Sequence, residues 1–484
     1  MTFTPTEEQL SIVAFARDTK DNLLISALAG AAKSSTLELI GHALPKVNAI
    51  CLAFNKRIAE EMKPRLPSSY TVQTLNSLGH RVWGQSIPHK LSLQKDKCFA
   101  LFEKIVKEYP PSEQEELWEL LADILRAVRS LKSAGYVPDE IARAHKATPL
   151  LSDEMIKNFL EDEVSDFELS MIKRISLESM QMALQGTIDF DDQILMPVCF
   201  RATFPTFQLI LVDEAQDLSE LNFQLLVKLA RGRARIIAVG DQRQAIYAFR
   251  GAHETGMESL QKIFSMTELT LSCSFRCPEA IVQHVRWRAP HMSSWDKNPN
   301  NPGEIVKAVP WKLDLLPDNC AVICRNNAPL FRIAVALLKS GRYPLLWGND
   351  IAKSLISVLK KFGPANMLQS QALSALAEYH EKQCKRVKNQ ATLQDKIDCL
   401  RIFIDSGETL GQGIQFAETI FRSQGKVNLL TGHKAKGFEW DNVFFLDEEL
   451  VRDKGQDLNL RYVIATRSKS RLTYINSKEL LRDG

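Results

Sequence analysis

The chain has 484 residues, of which 45% are hydrophobic and 25% charged, and its formal net charge is +3. This length excludes one ordinary core and fits two to four globular units, while the small net charge does not by itself demand a nucleic-acid partner. No apolar run approaches the roughly 18 residues of a membrane span, and no export leader is recognisable, so we expect a soluble, cytoplasmic or nucleoid-associated protein.

Predicted strands and helices alternate in the first part of the chain. Helical spacing covers residues 7–17, 34–44 and 56–63, and short buried strands cover residues 22–28 and 47–54. Apolar, β-branched strands resume at 207–212 and 235–239. This order predicts an α/β fold with a parallel sheet covered by helices on both faces.

Two segments of the chain are predicted to be mostly helical. In residues 88–184 we expect helices at 95–109, 112–132 and 152–160 and no strand. A second α/β set begins near residue 269, with central strands at 321–324 and 443–446. Residues 351–424 predict either a small inserted domain or surface helices.

A phosphate-binding loop is predicted at residues 27–34, ALAGAAKS, because small residues follow an apolar strand and open a helix. Successive backbone N–H groups and the helix N-terminus favour an anion there. Lys33 would reach the β- and γ-phosphates, and the Ser34 hydroxyl would hold Mg²⁺. Ala32 stands where glycine is expected, so an ordinary alanine-rich helix start is the alternative.

Carboxylates follow the strand at 207–212, in the sequence VDEAQD of residues 212–217. They are expected at the carboxyl edge of a parallel sheet, where ligands bind. Asp213 suits a Mg²⁺ shell, and Glu214 could orient or deprotonate an attacking water. The alternative, an acidic helix cap, does not explain why a phosphate loop accompanies it. The scattered cysteines form no CxxC pair, and we expect no structural metal.

Further segments complete a resemblance to the UvrD/Rep-like branch of the superfamily 1 helicases, closest in style to its small F-box-helicase-like or phage-encoded members. They occur in the order expected for that family. The segments are GDQRQAIYAFRGA at 240–252, SFR at 274–276, AVICRNN at 321–327, TGHKAKGFEW at 431–440 and YVIATRS at 462–468.

The resemblance implies which residues act on ATP. It implies catalytic roles for Lys33, Asp213, Glu214, Gln244, Arg276 and Arg467. The ATP-binding residues that it implies are Gln9, Ala29, Gly30, Ala31, Ala32, Lys33, Ser34, Ser35, Phe275 and Glu439, and the Mg²⁺ ligands are Ser34 and Asp213. Taken singly, Gln9 would more often be a solvated helix residue, and a lone arginine would be solvated or ion-paired.

The resemblance also implies a surface for single-stranded DNA. Its residues are Asn55, Thr74, Asn76, Tyr247, Phe249, Arg250, Thr431 and His433. Aromatic side chains stacked on unpaired bases grip any sequence, although Tyr247 and Phe249 could instead pack in a core. This sequence departs from the family at Ala53, where many relatives have phenylalanine, and at Asn76, where histidine is common.

By this resemblance the chain has two RecA-like domains of the P-loop NTPase type with helical insertions, ATP between them and DNA across the top. The expected boundaries are 1–87 with 185–268 for the first domain, 269–350 with 425–484 for the second, and 88–184 and 351–424 for the insertions. The second insertion is short for the family. We expect this to impair unwinding without a partner more than translocation.

We therefore expect an ATP- and Mg²⁺-dependent translocase on single-stranded DNA and a DNA helicase, moving 3′ to 5′ as the resemblance implies. Its partners would be single-stranded DNA, tailed or forked duplex DNA and a protein that loads or activates it, with no membrane. The alternative is a nucleic-acid-binding regulatory subunit with an attenuated ATP site, as Ala32 suggests. A fused nuclease lacks support, because no acidic cluster with a lysine follows Arg467.

Overall fold

The computed structural model describes residues 4–160, 164–231, 233–247, 255–295, 301–307, 310–384 and 390–479. They divide into two units. One comprises the residues up to Ala27 together with Ala32–Leu271, and the other comprises Leu28–Ala31 together with the residues from Ser272 onward. The first unit ends at Leu271, the last residue of a strand.

The first unit is built on a sheet of six parallel strands in the order β3-β2-β6-β7-β1-β8. Its central strands consist largely of apolar and β-branched residues. Side chains on both faces of these strands are buried, as a parallel sheet covered by helices requires. The strands described in this unit are β1 (Leu23–Ala27), β2 (Ala49–Ala53), β3 (Tyr70–Thr74), β4 (Ser92–Leu93), β5 (Thr187–Ile188), β6 (Leu209–Val212), β7 (Arg235–Gly240) and β8 (Thr267–Leu271).

Helices follow most of these strands and cover the sheet. The helices described in the first unit are α1 (Glu7–Asp18), α2 (Lys33–Ala43), α3 (Lys56–Met62), α4 (Leu75–Ser86), α5 (Lys97–Val106), α6 (Pro111–Ser133), α7 (Asp139–His145), α8 (Ile156–Phe159), α9 (Asp166–Leu184), α10 (Asp192–Cys199), α11 (Glu220–Ala230) and α12 (Gly256–Phe264). Side chains of α4, α10 and α11 share one hydrophobic core with the central strands.

Helices α5 to α9 form the first insertion, which has a hydrophobic cluster of its own around Phe102, Val128 and Ile172. Two expectations for this segment are wrong. The segment contains a strand, because β4 pairs in parallel with β5. The helix expected over 152–160 is only the single turn α8, since Asp153 to Met155 form a turn instead.

A buried group of four charges joins this insertion to the chain that follows it. Lys132 of α6 donates to Asp189 Oδ2 at 2.5 Å and to Asp192 Oδ1 at 2.8 Å, and Lys97 of α5 also pairs with Asp192. All four side chains are at most 9% exposed. Burial alone would raise the pKa of Asp189, but Lys132 and Lys97 outweigh it and hold the pKa below its ordinary value. We call these four residues the lysine–aspartate quartet.

The second unit contains another sheet of six parallel strands, in the order β11-β16-β15-β12-β14-β13. A separate two-stranded parallel pair is formed by β9 and β10. The strands described in this unit are β9 (Cys273–Ser274), β10 (Ser293–Ser294), β11 (Glu304–Val306), β12 (Ala321–Cys324), β13 (Pro344–Leu346), β14 (Val427–Thr431), β15 (Trp440–Leu446) and β16 (Ser468–Ile475). Two parallel six-stranded sheets with covering helices confirm the expected α/β class of two RecA-like domains.

The helices of the second unit include the short second insertion. They are α13 (Glu279–Val285), α14 (Asn327–Lys339), α15 (Asn349–Phe362), α16 (Gln369–Cys384), α17 (Gln390–Ile404), α18 (Leu410–Arg422), α19 (Gly432–Ala435) and α20 (Gln456–Ala465). None of the helices that the structure describes is both long and apolar enough to cross a bilayer.

The second insertion packs into the core of the second sheet. Leu359 of α15, Leu376 of α16 and Phe403 of α17 belong to the same hydrophobic cluster as Val322 of β12. The ring of Phe403 lies 5.2 Å from that of Phe331 in α14. These helices therefore share a hydrophobic core with the second sheet.

Candidate functional site

The predicted phosphate loop joins β1 to α2. Gly30 and Ala32 both have left-handed backbones, with φ of +74° and +55°. Ala32 is the N-cap of α2 and offers no side-chain oxygen to the first turn, which also contains no acidic residue. The N–H groups of that turn thus meet the requirements of an anion site.

The acidic segment lies at the carboxyl end of β6, and Glu214 also has a left-handed backbone, with φ of +52°. Non-glycine residues in this conformation cost roughly 1–2 kcal/mol and occur preferentially at ligand sites. The Glu214 carboxylate accepts hydrogen bonds from Lys33 Nζ at 2.9 Å and from Gln216 Nε2 at 2.5 Å. The first unit therefore brings the predicted phosphate-binding lysine and the predicted base together.

The ionisable groups around this ion pair are buried, and burial shifts their pKa values. Asp213 is 3% exposed, and burial together with the neighbouring Glu214 charge raises its pKa to about 7. Burial alone would lower the pKa of Lys33, but Glu214, Asp213 and Asp241 outweigh it and raise that pKa above its ordinary value. Burial likewise raises the pKa of Asp241, so three carboxyl groups interact with one buried ammonium at this strand end.

Gln244, predicted to couple to the γ-phosphate, is connected to the same group. Its Nε2 donates to Asp241 Oδ2 at 2.7 Å, and the backbone N–H of Asp241 donates to Gln216 Oε1 at 2.9 Å. Gln216 in turn donates to Glu214. Asp241 and Gln216 were not among the predicted site residues, although both stand inside the quoted segments.

Gln9, the predicted adenine-reading residue, is fully buried rather than solvated. Its side-chain oxygen accepts from the Thr6 backbone N–H at 3.0 Å, and its Nε2 donates to Thr36 Oγ1 at 3.0 Å. It thereby ties α1 to the helix that follows the phosphate loop. Ser35, a predicted ATP ligand, accepts a hydrogen bond from Arg65 at 3.1 Å.

Three predicted DNA-binding residues of the first unit lie near the carboxyl ends of the edge strand β3 and of its neighbour β2. Asn55 and Thr74 cap α3 and α4, accepting from backbone N–H groups at 2.9 Å and 3.1 Å. Asn76 Nδ2 donates to the Phe190 carbonyl at 2.8 Å. The ring of Phe190 is 48% exposed, with Lys95 Nζ 6.0 Å from its centre.

Phe190 is a candidate residue that we did not predict. It stands in the segment GTIDFDD, residues 186–192. Asp189 and Asp192 do cap each other's backbone N–H groups. An exposed aromatic ring held between two buried carboxylates is the pattern that would have identified it.

Tyr247 forms an aromatic pair with Phe54. Their rings are stacked, with centroids 5.9 Å apart and an interplanar angle of 8°. Phe54 is 36% exposed, so the pair reaches the surface rather than lying in the core. Phe249 and Arg250, the other two predicted DNA contacts of this segment, lie outside the described residues.

In the second unit, Arg276 and Glu439 form an ion pair with Nε and Oε2 2.6 Å apart. The ring of the neighbouring Phe275 lies 4.8 Å from that of Trp295. These aromatic rings and Arg276, together with Asp441 and Lys469, line a pocket of about 470 Å³. The resemblance implies that Phe275, Arg276 and Glu439 contact the nucleotide. In the second unit these three residues are neighbours, because Phe275 precedes Arg276 and Arg276 is paired with Glu439.

Arg467, the other predicted catalytic arginine, is only 1% exposed. Its guanidinium donates to the carbonyls of Val463 at 2.9 Å and Phe438 at 3.3 Å. Thr431 ends β14, buried, and the half-buried His433 follows in α19. Their roles towards DNA stay predictions.

A comparison with known proteins decides the family. The model of the UvrD/REP helicase N-terminal domain matches residues 6–265, which is more than half of this chain. The chain belongs to the UvrD/REP helicase family. The UvrD-like helicase C-terminal domain matches residues 426–475. The resemblance noted in the sequence is thereby confirmed.

Individual members of the family are distant relatives. The chain is 22% identical to F-box DNA helicase protein 1 of Schizosaccharomyces pombe, over 96% of this chain and 57% of that protein. It is 23% identical to F-box DNA helicase 1 of Gallus gallus, over 98% of this chain and 49% of that protein. With ATP-dependent DNA helicase PcrA of Staphylococcus epidermidis it shares 26% identity over 52% of this chain and 35% of that protein. The chain spans about half the length of the F-box relatives that it matches.

Proposed function

We propose that this chain is an ATP-dependent DNA helicase that hydrolyses ATP to move along single-stranded DNA. The observation that carries the proposal is the ion pair between Lys33 and Glu214 beside the buried Asp213, where a phosphate loop faces an acidic strand end. Movement from 3′ to 5′ is proposed on the family resemblance alone.

In this proposal the backbone of the loop and Lys33 bind the phosphates of ATP, and Ser34 and Asp213 would hold Mg²⁺. When bound, Mg²⁺ neutralises charge on the β- and γ-phosphates. The carboxylate of Asp213 fits this role, because it directly follows β6 beside the phosphate loop and carboxylate oxygens are the ligands that Mg²⁺ prefers.

The Lys33–Glu214 ion pair suggests how hydrolysis depends on nucleotide. Lys33 Nζ is 2.9 Å from Glu214 Oε2, so the ammonium must turn from this carboxylate to reach a phosphate. Glu214 then becomes available to orient or deprotonate water, and Gln216 continues to hold it. Arg276 and Arg467 are proposed to neutralise charge that develops on the γ-phosphoryl group.

Single-stranded DNA is proposed to contact the first unit along the carboxyl ends of its parallel strands. The stacked rings of Phe54 and Tyr247 and the exposed ring of Phe190 offer faces on which unpaired bases can stack. Asn55 and Asn76 supply polar groups on the same strand ends.

The deciding experiment is ATP hydrolysis with Mg²⁺, with and without single-stranded DNA, by the wild-type chain and by Lys33→Ala. We expect strong stimulation by DNA and its loss in Lys33→Ala, because Lys33 is the lysine directly after the loop, at the start of α2. Lys104→Ala, which removes a 64% exposed lysine, should behave as the wild type. Polarity then follows from strand displacement on tailed duplexes. DNA binding without hydrolysis would contradict the motor and favour a regulatory subunit or an enzyme that needs an activating partner.

The regulatory subunit with a weakened ATP site stays a second candidate because of Ala32. The backbone of Ala32 already has the left-handed conformation that glycine would adopt. The loop therefore keeps its shape, with a backbone strain at Ala32 of roughly 1–2 kcal/mol. We therefore expect Ala32→Gly to change ATP turnover by less than about tenfold and to leave stability unchanged or slightly raised.

Ala31→Gly is the matched control, because Ala31 is not among the residues with positive φ and glycine relieves no strain there. It should lower stability by about 0.5–1 kcal/mol in thermal unfolding. A rise in turnover of Ala32→Gly far beyond tenfold would show an attenuated site and favour the second candidate.

A further inference from the structure

Three strand ends meet at one edge of the sheet in the second unit. Strands β12, β14 and β13 are consecutive and parallel, with Cys324 opposite Thr431 and Leu346 opposite Leu429. Their carboxyl ends therefore lie side by side. Thr431 ends the middle strand, and Trp347 follows the outer one, with its backbone N–H donating to the Leu429 carbonyl at 3.0 Å.

Trp347 is the first member of a row of aromatic side chains that runs from this edge towards Trp440, the first residue of β15. Its ring centroid is 4.8 Å from that of Phe438, which in turn lies 6.0 Å from Trp440. All three side chains are half-buried, so each also reaches solvent. The indole N–H of Trp347 donates to Asn428 Oδ1 at 3.1 Å, which fixes the orientation of the ring.

A lysine is held beside this indole. Lys434 Nζ donates to the Trp347 carbonyl at 2.9 Å. A Cβ on Gly348 would lie 1.8 Å from that nitrogen, and the φ of Gly348 is +139°. Only glycine therefore allows the ammonium to approach the turn this closely. An aromatic face beside a fixed positive charge is the combination that binds a base together with its phosphate.

The first unit carries its predicted DNA contacts at corresponding places. There the outermost strand β3 ends at Thr74 and its neighbour β2 is followed by Asn55. In the second unit the outermost strand β13 is followed by Trp347 and its neighbour β14 ends at Thr431. In both sheets the side chains in question stand at the carboxyl ends of the outermost strand and of the strand next to it.

We infer that Trp347 stacks on an unpaired base of single-stranded DNA and that Lys434 contacts an adjacent phosphate. The inference deepens the proposed function and rests on it. Phe438 packs against the indole. In this inference Trp347 stacks on bases in the second unit as Tyr247 does in the first.

The test compares binding of an oligothymidylate of about 16 nucleotides with binding of an abasic deoxyribose-phosphate chain of the same length. Trp347→Leu keeps an apolar side chain against Phe438 but removes the stacking face. We expect it to bind oligothymidylate about 5- to 100-fold more weakly and the abasic chain as tightly as the wild type does. Trp347→Phe should recover much of the lost affinity. The matched control is Trp287→Leu, which removes a 48% exposed indole elsewhere in the unit.

Equal affinity of Trp347→Leu and wild type for oligothymidylate would overturn the inference, as would equal losses on both ligands. If Trp347→Leu does not fold, the wild-type chain is photocrosslinked to oligothymidylate containing 5-iodouracil. A crosslink at Trp347 supports the inference, and crosslinks only elsewhere contradict it. Wild type that hydrolyses no ATP while Trp347→Leu still loses affinity selectively would refute the motor and leave the stacking site standing.

Discussion

Replacing Glu214 by glutamine should lower the rate of ATP hydrolysis by about 10²- to 10⁴-fold while ATP binding is retained. Glutamine keeps the shape of the side chain and can still accept hydrogen bonds from Lys33 and Gln216. It cannot accept a proton from water. The measurement is steady-state turnover in the presence of single-stranded DNA, with nucleotide affinity measured separately.

The matched control for this substitution is Glu220→Gln, which removes an exposed carboxylate in the first turn of α11. It should leave turnover unchanged. A Glu214→Gln chain that hydrolyses ATP at the wild-type rate would mean that another group activates water, and the proposed role of Glu214 would be wrong. Loss of nucleotide affinity in parallel with turnover would instead assign Glu214 to binding.

Replacing Lys132 by methionine should lower the free energy of unfolding by about 3–5 kcal/mol. The substitution leaves Asp189 and Asp192 buried with only the Lys97 ammonium to neutralise them. Methionine fills the same space, so the loss reports the uncompensated charge rather than a cavity. Denaturant unfolding followed by circular dichroism measures the change.

Lys104→Met is the control, because Lys104 pairs with Glu178 at the surface and is 64% exposed. Exposed pairs contribute about 0–1 kcal/mol, so this variant should be nearly as stable as the wild type. Similar small losses in both variants would show that water reaches the quartet. The Asp189 contribution depends on pH in a definite direction: its pKa is depressed, so its stabilisation is present above the unfolded-state pKa and is lost as the solution is acidified.

The strongly apolar strands and the residues at their ends could be predicted from the sequence. Strands β6 and β12 are uninterrupted apolar runs. The loop before Lys33 consists of small residues between a strand and a helix, a pattern typical of phosphate-binding loops. Strands β3 and β8 were missed because they are edge strands, with the partly polar sequences YTVQT and TELTL. A strand with one neighbour is less buried, and the hydrophobic pattern that reveals a strand weakens accordingly.

The buried lysines could not be predicted for a different reason. Lys97 and Lys132 occur in amphipathic helices, where a lysine ordinarily lies on the solvated face. Their partners Asp189 and Asp192 are distant in sequence, and no local pattern links them. The same limit applies to Ala32, whose left-handed backbone is set by the loop and not by its own side chain. Long-range pairing of charges is information that the three-dimensional structure adds.

The shared core of the second sheet and its helical insertion has a consequence for how this unit can be altered. Rotating α15 to α18 away as a rigid body would expose Phe403, whose ring lies against that of Phe331 in α14, at about 1.5–3 kcal/mol. Excising the segment, or exchanging it for the larger domain of a relative, would leave the same surface uncovered. The sheet and the helices should therefore exchange their most protected amide hydrogens in one cooperative opening, and this unit can change shape by small sliding of packed helices but not by a hinge.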